Sequence, residues 1–253
     1  MHNKVINLAL VAQVAKGLKE LKDKMVFIGG AVISSYTDDP SADEIRPTSD
    51  IDMTINLANY AEWAKMQERL AELKFYPDPQ GQSICSYKYH DIAIDIMPAE
   101  DSSIGISNKW YKPGFKNLQK VQLEENVDIK ILPAPYFLAT KLEAFKDRGK
   151  NDFYGSHDFE DIVYVLENNS NIASLMLESP QDVKQYLKQC FSDFLQDAEF
   201  EEGVSAHLEP ITQGQQIEKH PGGGFLKKTF TVTKTGSEWR LKSGMGNPFI
   251  LSD

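Results

Sequence analysis

The pattern of apolar and polar residues alternates between two periods along this chain. Residues 4–23 carry Val5, Leu8, Val11, Val14, Leu18 and Leu21 at helical spacing and predict an amphipathic helix. The apolar run 25–28 predicts a short buried strand, and Gly29-Gly30 turns the chain into the first turns of a helix over 30–36. Residues 37–48 are polar, contain Pro40 and Pro47, and predict a loop. A strand over 50–57 follows. Asn59 is placed to cap a helix over 61–74 with Trp63, Met66, Leu70 and Leu73 on one side, and 77–81 reads as a turn.

Alternation and β-branching over 83–98 predict two strands joined near His90-Asp91, with Ile92, Ile94 and Ile96 on one face and Asp95 on the other. Residues 101–117 read as a loop. Its Lys109, Trp110, Tyr111 and Lys112 suit either a base and a phosphate or the packing of the loop onto the core. Strands over 118–123 and 127–132 complete a mixed sheet of about five strands. Pro133 and Pro135 mark a boundary. Beyond it, helices are expected over 136–148, 156–167 (Ser156 as N-cap), 172–177 and 181–195. Past residue 196 the chain reads as a linker, with Glu201-Glu202-Gly203, residues 213–220 and the break Pro221-Gly222-Gly223-Gly224. A β-hairpin about Thr235-Gly236-Ser237-Glu238 ends it. The expected architecture is α/β (α+β): a mixed sheet with flanking helices over 1–133, a small helical domain over 134–197, and a linker and hairpin tail over 198–253.

Composition narrows the function. The hydrophobic fraction of 41% and charged fraction of 25% are those of an ordinary globular protein. A net charge of −10 argues against a general nucleic-acid coat or an anionic membrane surface, though not against a small basic groove. The two cysteines, Cys85 and Cys190, have no spacing that suggests zinc or a disulfide framework. With no membrane-spanning segment and no signal peptide evident, a cytoplasmic protein is expected. Residues 227–253 hold five Lys or Arg against two acidic residues, a locally basic end suited to RNA phosphates, a partner or an accessory role. No catalytic role is expected of it.

The chemistry concentrates in residues 27–55. Asp50 and Asp52 are two apart on a predicted strand, so their carboxylates share a face. Adjacent carboxylates repel each other in an apolar setting, and a divalent cation relieves that repulsion. Gly29-Gly30 can bring backbone N–H groups to a phosphate at a helix start. Without more, the same residues describe a capped turn and an exposed acidic strand edge. Downstream, Lys141 and Arg148 are seven apart and share a helix face, and Asp158 and Asp161 are three apart. Such patterns are also common as solvated surface pairs.

Gly-Gly followed by Ser49-Asp50-Ile51-Asp52 resembles the signature of the nucleotidyltransferase superfamily that includes DNA polymerase β. In that superfamily a third carboxylate comes from a neighbouring strand, and Asp95 is the residue placed to supply it. The sequence Ala139-Thr140-Lys141-Leu142-Glu143-Ala144, then Arg148-Gly149, then Asp158-Phe159-Glu160-Asp161-Ile162 is similar to the downstream motif of AbiEii-type nucleotidyltransferases, toxin halves of bacterial toxin–antitoxin and phage-defence pairs. His157 stands where that family has Arg and Ile162 where it has Leu, and Asp152 offers a competing alignment to Asp158.

The resemblance spans about residues 25–167. It implies transfer of NMP from an NTP to an acceptor hydroxyl. Asp50, Asp52 and Asp95 would bind Mg²⁺ or Mn²⁺, and Asp95 is the alternative base for the hydroxyl. Gly29, Gly30 and Ser49 would contact phosphate. Lys141 would bind the β- and γ-phosphates, with Arg148, Asp158 and Asp161 completing the nucleotide site. The leading acceptor it implies is tRNA, with a cognate antitoxin as counterpart. The alternatives are a protein or antibiotic-type small-molecule acceptor, or a nucleotide-binding sensor without turnover.

Overall fold

The computed structural model describes residues 3–39, 42, 45–57, 59–81, 84–100, 107–208, 231–235, 238–242 and 249–251. The chain divides into two compact units, 1–36 with 44–140, and 37–43 with 141–253. The division falls inside one helix.

The first unit is built on a seven-stranded mixed sheet. Its strands are β1 (Met25–Ile28), β2 (Asp50–Ile55), β3 (Phe75–Pro77), β4 (Ser86–Tyr89), β5 (Ile92–Pro98), β6 (Gln119–Glu124) and β7 (Val127–Ile131), in the order β3-β4-β5-β2-β1-β7-β6. The interior strand β1 is buried along its whole length, as its unbroken Met-Val-Phe-Ile run requires. It pairs antiparallel with β2 and parallel with β7, and β2 pairs parallel with β5. The sheet has seven strands where the sequence pattern predicts about five, and the one strand outside every predicted run is β3, which ends on Pro77, the residue that reads in sequence as the start of a turn. It survives as an edge strand, where a proline costs no ladder bond.

Helix α1 (Asn3–Leu18) packs against β6 and β7, and a 3₁₀ segment over Lys19–Lys24 replaces the rest of the long helix expected there. Of the predicted stripe, Val11, Val14, Leu18 and Leu21 are buried, whereas Val5 is exposed and Asn7, which lies outside that stripe, is buried beside it. Helix α2 (Tyr60–Glu72) starts as expected, with the Asn59 side chain accepting from the Glu62 N–H. The expected loop before β6 contains a helical turn, α3 (Tyr111–Gly114), and a 3₁₀ turn over Phe115–Asn117. Trp110 and Tyr111 are buried and Trp110 leans on Tyr136, so these rings serve the core rather than a base. The earlier part of that loop, 101–106, lies outside the described residues.

Helix α4 (Ala134–Asp147) carries the division between the units at Thr140/Lys141. The second unit adds α5 (His157–Asn168), α6 (Ile172–Glu178), α7 (Gln181–Phe194) and α8 (Phe200–His207). Ser156 caps α5 by accepting from the Phe159 N–H, as predicted. Phe145, Phe153, Phe159, Phe194 and Phe200 form one aromatic core, with ring centroids 4.9–6.2 Å apart. Helix α8 corrects the expected linker at 201–203. Phe200, buried in that cluster, anchors a segment whose Glu-Glu-Gly composition suggested none. The 37–43 stretch belongs to this unit through Asp38, whose carboxylate accepts from the Ser170 N–H and hydroxyl at 2.9 and 2.6 Å.

Strands β8 (Thr231–Thr235) and β9 (Glu238–Lys242) pair antiparallel as the expected hairpin. A third strand, β10 (Phe249–Leu251), which the sequence pattern does not predict, adds to β9. The linker 213–220, the break at Pro221-Gly222-Gly223-Gly224 and the turn residues Gly236 and Ser237 lie outside the described residues. No helix among the described residues is long and apolar enough to cross a membrane.

Candidate active site

The acidic cluster follows from strand register. Asp50 and Asp52 are two apart on β2 and therefore share a face. The parallel pairing of β2 with β5 sets Asp52 directly opposite Asp95. One carboxylate oxygen from each of Asp50, Asp52 and Asp95 lies within 4.8 Å of the other two, and all three residues are half-buried. Like charges directly opposite on neighbouring strands destabilise a sheet. Oxygen-only ligands of this charge fit a hard divalent cation such as Mg²⁺ or Mn²⁺, so the residues present suit the metal that the resemblance implies.

Room for the cluster comes from Gly29. Its backbone has φ +74°, and a Cβ built there would stand 2.1 Å from Asp52 Oδ2. Glycine thus answers two demands at once, a left-handed turn at the end of β1 and a carboxylate where a side chain would otherwise lie. Gly30 opens the 3₁₀ segment Gly30–Tyr36, a tighter form than the helix expected. Ser49 is exposed immediately before β2. Thr48, which the sequence analysis passed over, places its hydroxyl 3.3 Å from Asp50 Oδ1 and 3.2 Å from the Asp50 carbonyl oxygen.

The four downstream residues come together in the second unit. Lys141 is buried, and its Nζ lies 3.1 Å from Asp158 Oδ1 and 2.6 Å from Asp161 Oδ2. Arg148 follows the end of α4 and grips Asp158 with a two-pronged bond, Nε to Oδ2 at 2.7 Å and a terminal nitrogen to Oδ1 at 2.8 Å. Asp158 and Asp161 are both buried on α5. A solvated surface pattern is therefore ruled out for Lys141, Asp158 and Asp161.

Burial by itself pushes the Asp158 carboxyl up. The Arg148 hydrogen bond and the Lys141 charge outweigh it and hold the group below the ordinary carboxylate range. Burial likewise disfavours the Lys141 ammonium, but Asp161 and Asp158 more than compensate and raise it above an ordinary lysine. Asp152, the competing alignment, instead closes a turn by accepting from the Tyr154 and Gly155 N–H groups at 2.9 Å. The Lys141 and Arg148 contacts belong to Asp158.

No curated protein matches the chain. Among solved structures it is similar to an antigenic nucleotidyltransferase-like protein from Paracoccidioides brasiliensis, with 15% sequence identity and a TM-score of 0.47 over 79% of this chain and 92% of that one. The family model described as nucleotidyl transferase AbiEii toxin, type IV toxin–antitoxin system, matches residues 15–219, and this chain belongs to that family.

Proposed function

We propose that the protein transfers NMP from an NTP to an acceptor hydroxyl in a Mg²⁺-dependent reaction, and that the acceptor is tRNA. The observation that supports this reading most is the convergence of Asp50, Asp52 and Asp95, in a chain whose family is one of nucleotidyl transferases. The acceptor oxygen forms a bond to the α-phosphorus, the α–β phosphoanhydride bond breaks, and pyrophosphate leaves. Mg²⁺, when held by the three carboxylates, supplies neutralisation of the triphosphate charge. Asp95 is the residue assigned to take the hydroxyl proton. The backbone N–H groups of Gly29 and Gly30, with Ser49, are assigned to phosphate. Lys141 is assigned to the β- and γ-phosphates, with Arg148, Asp158 and Asp161 orienting its ammonium. This division of labour makes 1–133 the catalytic core, 134–197 the helical domain that serves the nucleotide, and 198–253 an accessory tail. The family's description as a type IV toxin–antitoxin component supports a toxin acting in the cytoplasm, with a cognate antitoxin as its counterpart.

The test is incubation of the purified chain with Mg²⁺, each α-labelled NTP in turn and total tRNA, beside the Asp50→Ala/Asp52→Ala double variant. Label in tRNA with wild type and not with the variant establishes the activity and names the nucleotide. Label on protein or on a small molecule instead replaces the acceptor. Binding of Mg-NTP without transfer to anything makes the protein a nucleotide sensor and overturns the enzymatic reading.

A further inference from the structure

Asn7 is a polar side chain with only 1% of its surface exposed, on the apolar face of α1 and ahead of the residues that the family model matches. Both ends of its carboxamide are engaged. Nδ2 donates to the Arg46 carbonyl oxygen at 3.2 Å, and Oδ1 accepts from the Thr48 N–H at 3.3 Å. One side chain therefore bridges the backbone on both sides of Pro47, whose ring fixes φ and leaves no N–H of its own. The segment held this way is the entry to β2. Its last anchored residue, Thr48, shares its hydroxyl proton between the Asp50 carbonyl oxygen at 3.2 Å and Asp50 Oδ1 at 3.3 Å. Two sets of hydrogen bonds, joined through Thr48 itself, thus link the buried face of α1 to one carboxylate of the acidic cluster.

We propose that Thr48 is a positioning residue for Asp50 and that Asn7 sets Thr48 in place. The hydroxyl engages Oδ1, fixes the rotation of the carboxyl group and presents Oδ2 to a divalent cation. The inference rests on the proposed metal role of Asp50, Asp52 and Asp95. The pairing of Asp50 with Ala93 fixes its backbone but not the rotation of its carboxyl group. Partners of metal ligands act in this way generally, and their loss costs about 10- to 100-fold in metal affinity.

The test uses the full chain and Mn²⁺ as a visible stand-in for Mg²⁺, with a non-hydrolysable NTP present. Free Mn²⁺ is read by electron paramagnetic resonance, and folding is checked by thermal unfolding. Thr48→Val is expected to weaken Mn²⁺ binding about 10- to 100-fold, Thr48→Ser to keep it within about threefold of wild type, and Asn7→Ala to weaken it in the same direction as Thr48→Val. Thr48→Ala serves if the valine variant does not fold. In the Asn7→Ala/Thr48→Val double variant the two losses should not add, since both act through one hydroxyl. Wild-type affinity in the folded Thr48→Val or Thr48→Ala protein overturns the proposal while leaving the metal reading intact. Failure of the wild type itself to bind Mn²⁺ overturns the metal reading, and the positioning role with it.

Discussion

Asp52 lives in space that Gly29 leaves open, and that dependence can be measured. Gly29→Ala places a methyl 2.1 Å from Asp52 Oδ2 on a backbone with φ +74°. The left-handed conformation alone costs an alanine roughly 1–2 kcal/mol, and the carboxylate must move as well. The expected result is a lower melting temperature together with loss of Mn²⁺ binding. A variant that melts lower but binds Mn²⁺ normally would show that Asp52 tolerates the shift. The opposite sign is expected at Asp95. Asp52 and Asp95 face each other across β2 and β5, so Asp95→Asn removes a like-charge repulsion from the metal-free protein. It should stabilise that form by about 0.2–1 kcal/mol while abolishing transfer. Chemical denaturation in the presence of a chelator checks the first half. A destabilised asparagine variant would mean that repulsion is not what the cluster stores.

Between α4 and α5 the unit of energy is a network, not a pair. Lys141, Arg148, Asp158 and Asp161 carry two positive and two negative charges, and three of the four residues are buried. Removing one partner of a buried ion pair leaves an uncompensated charge and costs about 3–5 kcal/mol. Asp158→Asn is expected to fall in that range. Its pH dependence has a definite sign. The Asp158 carboxyl is held below its ordinary 3.8, so its contribution is present above that value and is lost as pH falls through the lower folded value. The Lys141 ammonium is raised above its ordinary 10.5, so its contribution is present below that value and is lost only as pH rises beyond it. The stability gap between wild type and Asp158→Asn should therefore stay flat across neutral pH and close in acid. Urea unfolding at a series of pH values reads it, and a gap that widens in acid would contradict the sign. These elements also show what a sequence makes legible. Asp50 and Asp52 could be brought together on paper because strand periodicity fixes which side chains share a face, whereas Asp95 joined them only through the family resemblance, since periodicity does not say which strand lies beside β2. The burial of Lys141 was not legible, since charges three, four and seven apart look alike whether solvent or protein surrounds them. Helix α8 was hidden because one anchor, Phe200, outweighs the Glu-Glu-Gly that follows it. Asn7 was hidden because a polar residue on an apolar face reads as a break in the stripe until its backbone partners are known.

At the scale of the whole molecule, charge and family extent both bear on the tail. The chain carries −10 overall, yet residues 227–253 hold five Lys or Arg and two acidic residues. The family model ends at residue 219, and the acidic cluster and the Lys141 network both lie before it. Strands β8, β9 and β10 form a sheet of their own, separate from the seven strands that carry Asp50, Asp52 and Asp95. A chain ending at residue 219 therefore retains every residue assigned to the nucleotide and the metal. Its kcat and its KM for NTP should stay within about twofold of the full chain. Phosphate contacts are salt-dependent, so the basic tail has its own signature if it touches RNA. In that case truncation raises KM for tRNA, most strongly at low ionic strength, while KM for NTP is unchanged. Our expectation is that neither constant moves, which makes the tail dispensable for the chemistry. Steady-state kinetics of the two chains at two salt concentrations separates the outcomes, and a loss of kcat would place part of the catalytic apparatus beyond residue 219.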